Sequence, residues 1–142
     1  MGFDLSKGGL VKEAEAILNQ ERVRGSGKFK HATAQLRNLV QIVQTEWDVK
    51  VLENFLNYQR GRKATADFWA LIHEDVVRVL RDIDRAAGTD DGKRKAAVQG
   101  FFGFLVRHYV YLDKINDESR PPRGPDRSQG ADRRPAVGGG RR

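Results

Sequence analysis

The chain has 142 residues, no cysteine, and 26 Lys plus Arg against 19 Asp plus Glu, a net charge of +7. That length makes one domain with a real core, and the missing cysteines exclude a disulfide scaffold and thiolate chemistry. No apolar run approaches the roughly 20 residues that span a bilayer, and the N-terminus lacks the apolar segment of a secretion signal, so the expectation is a soluble, cytoplasmic protein.

Helical periodicity runs through residues 1–116, which contain no proline. In a first predicted helix, about Leu10–Arg22, Leu10, Ala14, Ile17 and Leu18 recur at helical spacing. Arg24-Gly-Ser-Gly-Lys28 breaks the pattern. A second helix covers about Ala32–Thr45, with Leu36, Leu39, Val40 and Val43 inward and Arg37, Gln41 and Gln44 outward. A third begins near Trp47 and ends at Gln59–Arg60, carrying Leu52, Phe55 and Leu56 on its apolar side. Gly61, just past that end, is expected to supply a left-handed stop, and Arg60, Arg62 and Lys63 suit the negative end of the helix dipole. The fourth helix, about Thr65–Ala87, has one stripe of Phe68/Trp69, Ile72, Val76, Val79/Leu80 and Ile83 and stops at Gly88. The fifth, about Lys93–Lys114, has two. Val98, Phe101/Phe102, Leu105, Tyr109 and Leu112 form one stripe; Phe104, His108, Tyr111 and Ile115 form the other. Such a helix lies centrally in a bundle or packs on a second copy. The predicted fold is all-α, a compact bundle of about five helices.

All four prolines and five of the 15 glycines lie in the last 22 residues, and Ala131, Ala136 and Val137 are the only apolar residues beyond Ile115. Such a segment cannot bury enough apolar area to offset the entropy of ordering it. A bundle domain of residues 1–116 is therefore followed by a flexible Arg/Gly/Pro-rich tail, 117–142. The tail holds seven arginines and four acids, leaving 19 bases and 15 acids in the bundle. That moderate excess suits a polyanionic partner.

Catalytic chemistry is hard to assemble from these residues. His73 opens His-Glu-Asp-Val-Val-Arg, which lacks the second histidine of a helical zinc site, and no Glu-x-x-His pair of the di-iron type occurs. Gly25-Ser-Gly27-Lys28 lacks the spacing and preceding strand of a phosphate loop. Arg24 and His31 flank that loop instead of sharing a helix. Glu74/Asp75 and Asp90/Asp91 are adjacent, and adjacent helical residues do not face one another. No enzyme, metal or cofactor is expected. What remains is cations on faces opposite the core. Arg78, Arg81 and Arg85 share one face with Asp82 and Asp84 close enough to blunt them. Lys93-Arg94-Lys95 opens the fifth helix against its dipole. Arg107, between two aromatic stripes, is expected to be partly buried beside an acid or a phosphate.

Three segments then matter together: Thr33-Ala-Gln35-Leu-Arg37, Tyr58-Gln-Arg60-Gly61-Arg62 and Phe104-Leu-Val-Arg-His-Tyr-Val-Tyr111. In this order and spacing, over roughly residues 30–114, the chain resembles the small subunit of type III-A CRISPR effector complexes, the Csm small-subunit family. The resemblance implies an all-helical, non-catalytic protein, several copies of which stack along the channel holding guide RNA and target RNA. Its partners would be those RNAs, other copies of itself and the larger effector subunits. By position it adds Gln35 and Gly61 to the candidate RNA contacts Arg37, Arg60, Arg62 and Lys63, with Lys93, Arg94, Lys95 and Arg107 as lesser ones. Phosphate contacts of this kind fix register without reading sequence, which suits a subunit whose recognition is left to base pairing. Phe104 and Tyr111 are the candidate self-association surface. Two other readings compete: a helical protein–protein adaptor with solvated basic faces, and a DNA-binding bundle, which Glu46 and Asp48 in the turn before the third helix oppose.

Overall fold

The computed structural model describes residues 2–30, 32–62 and 66–118, with the backbone alone for 117 and 118. Ser6 starts the bundle. Its Oγ accepts the Gly9 N–H at 3.1 Å, and its own N–H donates to Asp4 Oδ1 at 2.9 Å. This cap satisfies a donor that the first turn leaves unpaired. The helix it opens, α1 (Lys7–Asn19), begins ahead of its apolar pattern, because Leu10, Ala14, Ile17 and Leu18 mark the buried face and not the cap. Gly9 permits this tight entry, since a Cβ there would lie 2.5 Å from Asp4.

At Gln20 the chain leaves helical geometry, with φ −59° and ψ 133°. The Gln20 amide donates to Ile17 O and to Asp75 Oδ2, both at 2.9 Å. The span expected as one helix to Arg22 is therefore two, α1 and the short α2 (Glu21–Arg24), and a 3₁₀ turn at Gly27–Phe29 then buries Phe29. The remaining helices are α3 (Thr33–Ile42), α4 (Val49–Gly61), α5 (Ala66–Ala87) and α6 (Asp91–Glu118), and no strand occurs among the described residues. Asp48 caps α4, its Oδ1 accepting the Lys50 N–H at 2.9 Å. α5 stops at Gly88, whose φ of 58° is the left-handed conformation that favours glycine. α6 overruns its predicted span at both ends: Asp90 caps its start, and it continues across residue 116, where the sequence suggests a domain boundary. Residues 119–142, most of the expected tail, lie outside the described residues.

α6 is the central rod, packed on α1, α3 and α5, while α4 packs on α5. α3 thus rests on α6 and α4 on α5, with little direct contact between α3 and α4. Phe29, Phe68 and Tyr109 meet inside, with ring centroids 4.6 Å apart for Phe29–Tyr109 and 5.8 Å for Phe68–Tyr109. The Tyr109 hydroxyl accepts the Ala32 N–H at 3.1 Å and donates to Phe29 O. A large apolar side chain contributes about 1.5–3 kcal/mol on burial, against about 0–1 for an exposed ion pair. The interior sets this fold. Among the described residues no helix is long and apolar enough to cross a membrane.

Candidate nucleic-acid interface

Leu52 and Leu56 are buried and hold α4 against its neighbour, so the end of the helix is a firm mount for the cations it carries. The left-handed stop expected at Gly61 does not occur. Gly61 is the last residue of α4 without a positive φ, and the chain turns out at Arg62 (φ −76°, ψ 134°), whose N–H donates to Tyr58 O and Gln59 O. An extended residue after the last turn ends this helix without help from glycine. The cations around Gly61 also diverge. Arg62 lies over the ring of Tyr58, 5.7 Å from its centroid, and Tyr58 is 60% exposed. Arg60 faces the other way, toward His73 on α5. His73 Nε2 sits 2.7 Å from Asn57 Oδ1, and its pKa is lowered by burial first and the Arg60 charge second. Lys63 lies outside the described residues.

Beside Arg62 a cleft of about 360 Å³ opens between α3 and α4, floored by the start of α5. Ala34, Gln35 and Asn38 form one wall, Phe55, Gln59 and Arg62 the other, and Trp69 the base; no carboxylate lines it. Gln35 Oε1 and Trp69 Nε1 are both buried without a hydrogen-bond partner, which is costly unless something fills the role. The structure therefore brings together Gln35 and Arg62. Arg37 is exposed on α3 but does not line the cleft: two residues on from Gln35, it turns to a different face of the helix.

The other predicted contacts lie elsewhere. Lys93 and Lys95 are exposed at the start of α6, where Lys95 Nζ sits 4.6 Å from the Trp47 ring and Trp47 Nε1–H donates to Asp91. That group is at the opposite end of α4, which at 13 residues is about 20 Å long. Arg94, one of the expected RNA contacts, is engaged within the fold. Its side chain is only 15% exposed, pairs with Asp84 at 2.8 Å and Asp91 at 3.3 Å, and donates to the backbone carbonyls of Asp84 and Gly88. It caps the end of α5. For Arg107 the expectation is corrected. It is exposed, not partly buried, and it lies over the Phe104 ring at 5.6 Å with no carboxylate partner among the described residues.

The row on α5 is neutralised, as its neighbouring acids suggest. Arg81 makes a two-pronged pair with Glu53 at 2.8 and 2.9 Å, holding the Glu53 carboxyl below its usual range; Arg85 meets Asp82 at 2.9 Å, and Arg78 meets Glu13 and Asp82 at 3.7 Å. No ion pair among the described residues involves Arg37, Arg60, Arg62 or Arg107. Phe104 is half-buried against the core, with Val11, Glu15 and His108 beside it, whereas Tyr111 is 58% exposed.

Sequence reasoning missed Asn38, Phe55, Gln59 and Trp69 as neighbours of one cleft. Asn38 and Tyr58 carried a signal: each stands at i, i+3 or i, i+4 from a candidate, Gln35 and Arg62 respectively. Among the described residues no group of three His, Cys, Asp or Glu is arranged to hold a metal ion. The arrangement can bind phosphate and sugar oxygens and offer a ring to stack on. No protein-family model, curated protein or solved structure matches this chain.

Proposed function

We propose that the chain is a non-catalytic RNA-binding small subunit of a type III CRISPR ribonucleoprotein effector. In this reading several copies stack along the channel of guide and target RNA in the cytoplasm, docked on the larger subunits. The observation that carries RNA binding is the uneven pairing of guanidinium groups. Arg78, Arg81, Arg85 and Arg94 are matched to carboxylates, while Arg62 lines the cleft, Arg60 sits at the same helix end and Arg37 stands exposed on α3, none of these three with an acid partner among the described residues. Unmatched guanidiniums on a rigid corner suit phosphates, to which they donate in a fixed fork. The effector assignment rests on the order and spacing of the three sequence segments.

Binding of the purified chain to a 20-base-pair RNA duplex across a salt series tests the reading. Six or so phosphate contacts weaken affinity by about 10³-fold between 50 and 200 mM salt. Arg37→Ala with Arg62→Ala should lower both affinity and slope. Unchanged affinity and slope would remove those two residues from the interface, and no binding at 50 mM would remove RNA altogether. The second reading, a protein–protein adaptor, is favoured by Tyr111 standing 58% exposed next to Phe104. It predicts that Tyr111→Glu abolishes self or partner association while RNA binding is absent throughout.

A further inference from the structure

We propose that the cleft between α3 and α4 receives an unpaired nucleobase, so that the RNA site distinguishes extruded from fully paired nucleotides. The proposal rests on the RNA-binding reading and adds the class of nucleotide it takes. Three observations support it. The cleft offers one unsatisfied acceptor, Gln35 Oε1, and one unsatisfied donor, Trp69 Nε1–H, the latter on a side chain only 1% exposed. A phosphate is acceptor-only and would leave the Gln35 oxygen facing another oxygen; a base edge carries donors and acceptors side by side and answers both. The walls include the rings of Phe55 and Trp69, and the volume of about 360 Å³ falls in the range of small-ligand sites.

The third observation is Arg62. Its guanidinium lines the cleft while lying over the exposed Tyr58 ring. Tyr58 lies against this guanidinium at the cleft edge, and guanidinium planes are stacking surfaces for unstacked bases. Tyr58 is thus a positioning residue, acting through Arg62. Both unsatisfied atoms lie beneath the cleft surface, so entry requires the half-buried Gln35 side chain to turn, a rotamer change of the kind common at interfaces.

The experiment compares two RNA duplexes with the full chain: one with a single bulged uridine, the other with an abasic ribose at the same bulge. The expected result is about tenfold tighter binding of the bulged base, the scale of one base stacked on a side chain. Tyr58→Ala should erase the difference between the two duplexes, and Tyr58→Phe, which keeps the ring, should restore it. The chain has two tryptophans, so Trp47→Phe leaves Trp69 as the only indole reporter; its emission should change with the bulged duplex and not with the abasic one. Equal, salt-dependent affinity for both duplexes, or a silent Trp69, overturns the base pocket and leaves RNA binding standing. No binding of either duplex at 50 mM salt overturns both.

Discussion

Tyr109 carries a hydroxyl into the centre of the bundle, where burial raises its pKa and both of its hydrogen bonds go to backbone about 80 residues away. Removing that oxygen in Tyr109→Phe strands the buried Ala32 N–H, and the expected cost is about 1–3 kcal/mol. Urea unfolding checks this: the midpoint should fall with the slope unchanged. The sequence reads Tyr109 as one more apolar stripe position. Its ring is that, but its hydroxyl's partners belong to the entry to α3 and are invisible to periodicity. Arg107 fails in the opposite direction. Flanked by aromatic residues, it reads as buried, yet it rides over Phe104 in solvent, as long amphipathic side chains do.

At the level of helices, the apolar stripes were legible because a 3.6-residue repeat and a core leave no other solution. The ends were less so, since caps are chosen by single side chains: Ser6, Asp48 and Asp90 open helices at or ahead of the apolar pattern, and Gln20 breaks one inside it. The two glycines that close α4 and α5 look alike in sequence and differ in fact. Gly88 has φ 58°, so Gly88→Ala should cost about 1 kcal/mol. Gly61 has no positive φ and nothing within 4 Å of a built Cβ, so Gly61→Ala should stabilise by about 0.4–1 kcal/mol. Thermal melts of the two variants should move in opposite directions. Arg94, read as a ligand contact for opposing its own helix dipole, is explained by the neighbouring helix it caps.

Across the whole molecule, titration and charge act together. His73 and His108 both have pKa values lowered from 6.5, chiefly by burial. The unfolded chain therefore takes up protons first as pH falls, so this stability is complete above about pH 6.5 and is lost as pH drops through the lower folded values. Glu53, held low by Arg81, adds a second loss below 4.5. The melting temperature should be lower at pH 5.5 than at 7.5, and His73→Gln with His108→Gln should flatten that arm. The candidate site was half legible. Arg37, Arg60 and Arg62 stand out as charges off an apolar pattern, whereas the cleft joining Gln35, Arg62 and Trp69 arises from tertiary packing that no local repeat encodes.

The walls of that cleft belong to different anchorages, one fastened to α6 and the other to α5, with little direct backbone approach between them. Whatever settles there would bridge α3 and α4, which otherwise meet chiefly through α5 and α6, stiffening the protein most when it is loaded. Cargo would then be part of the scaffold.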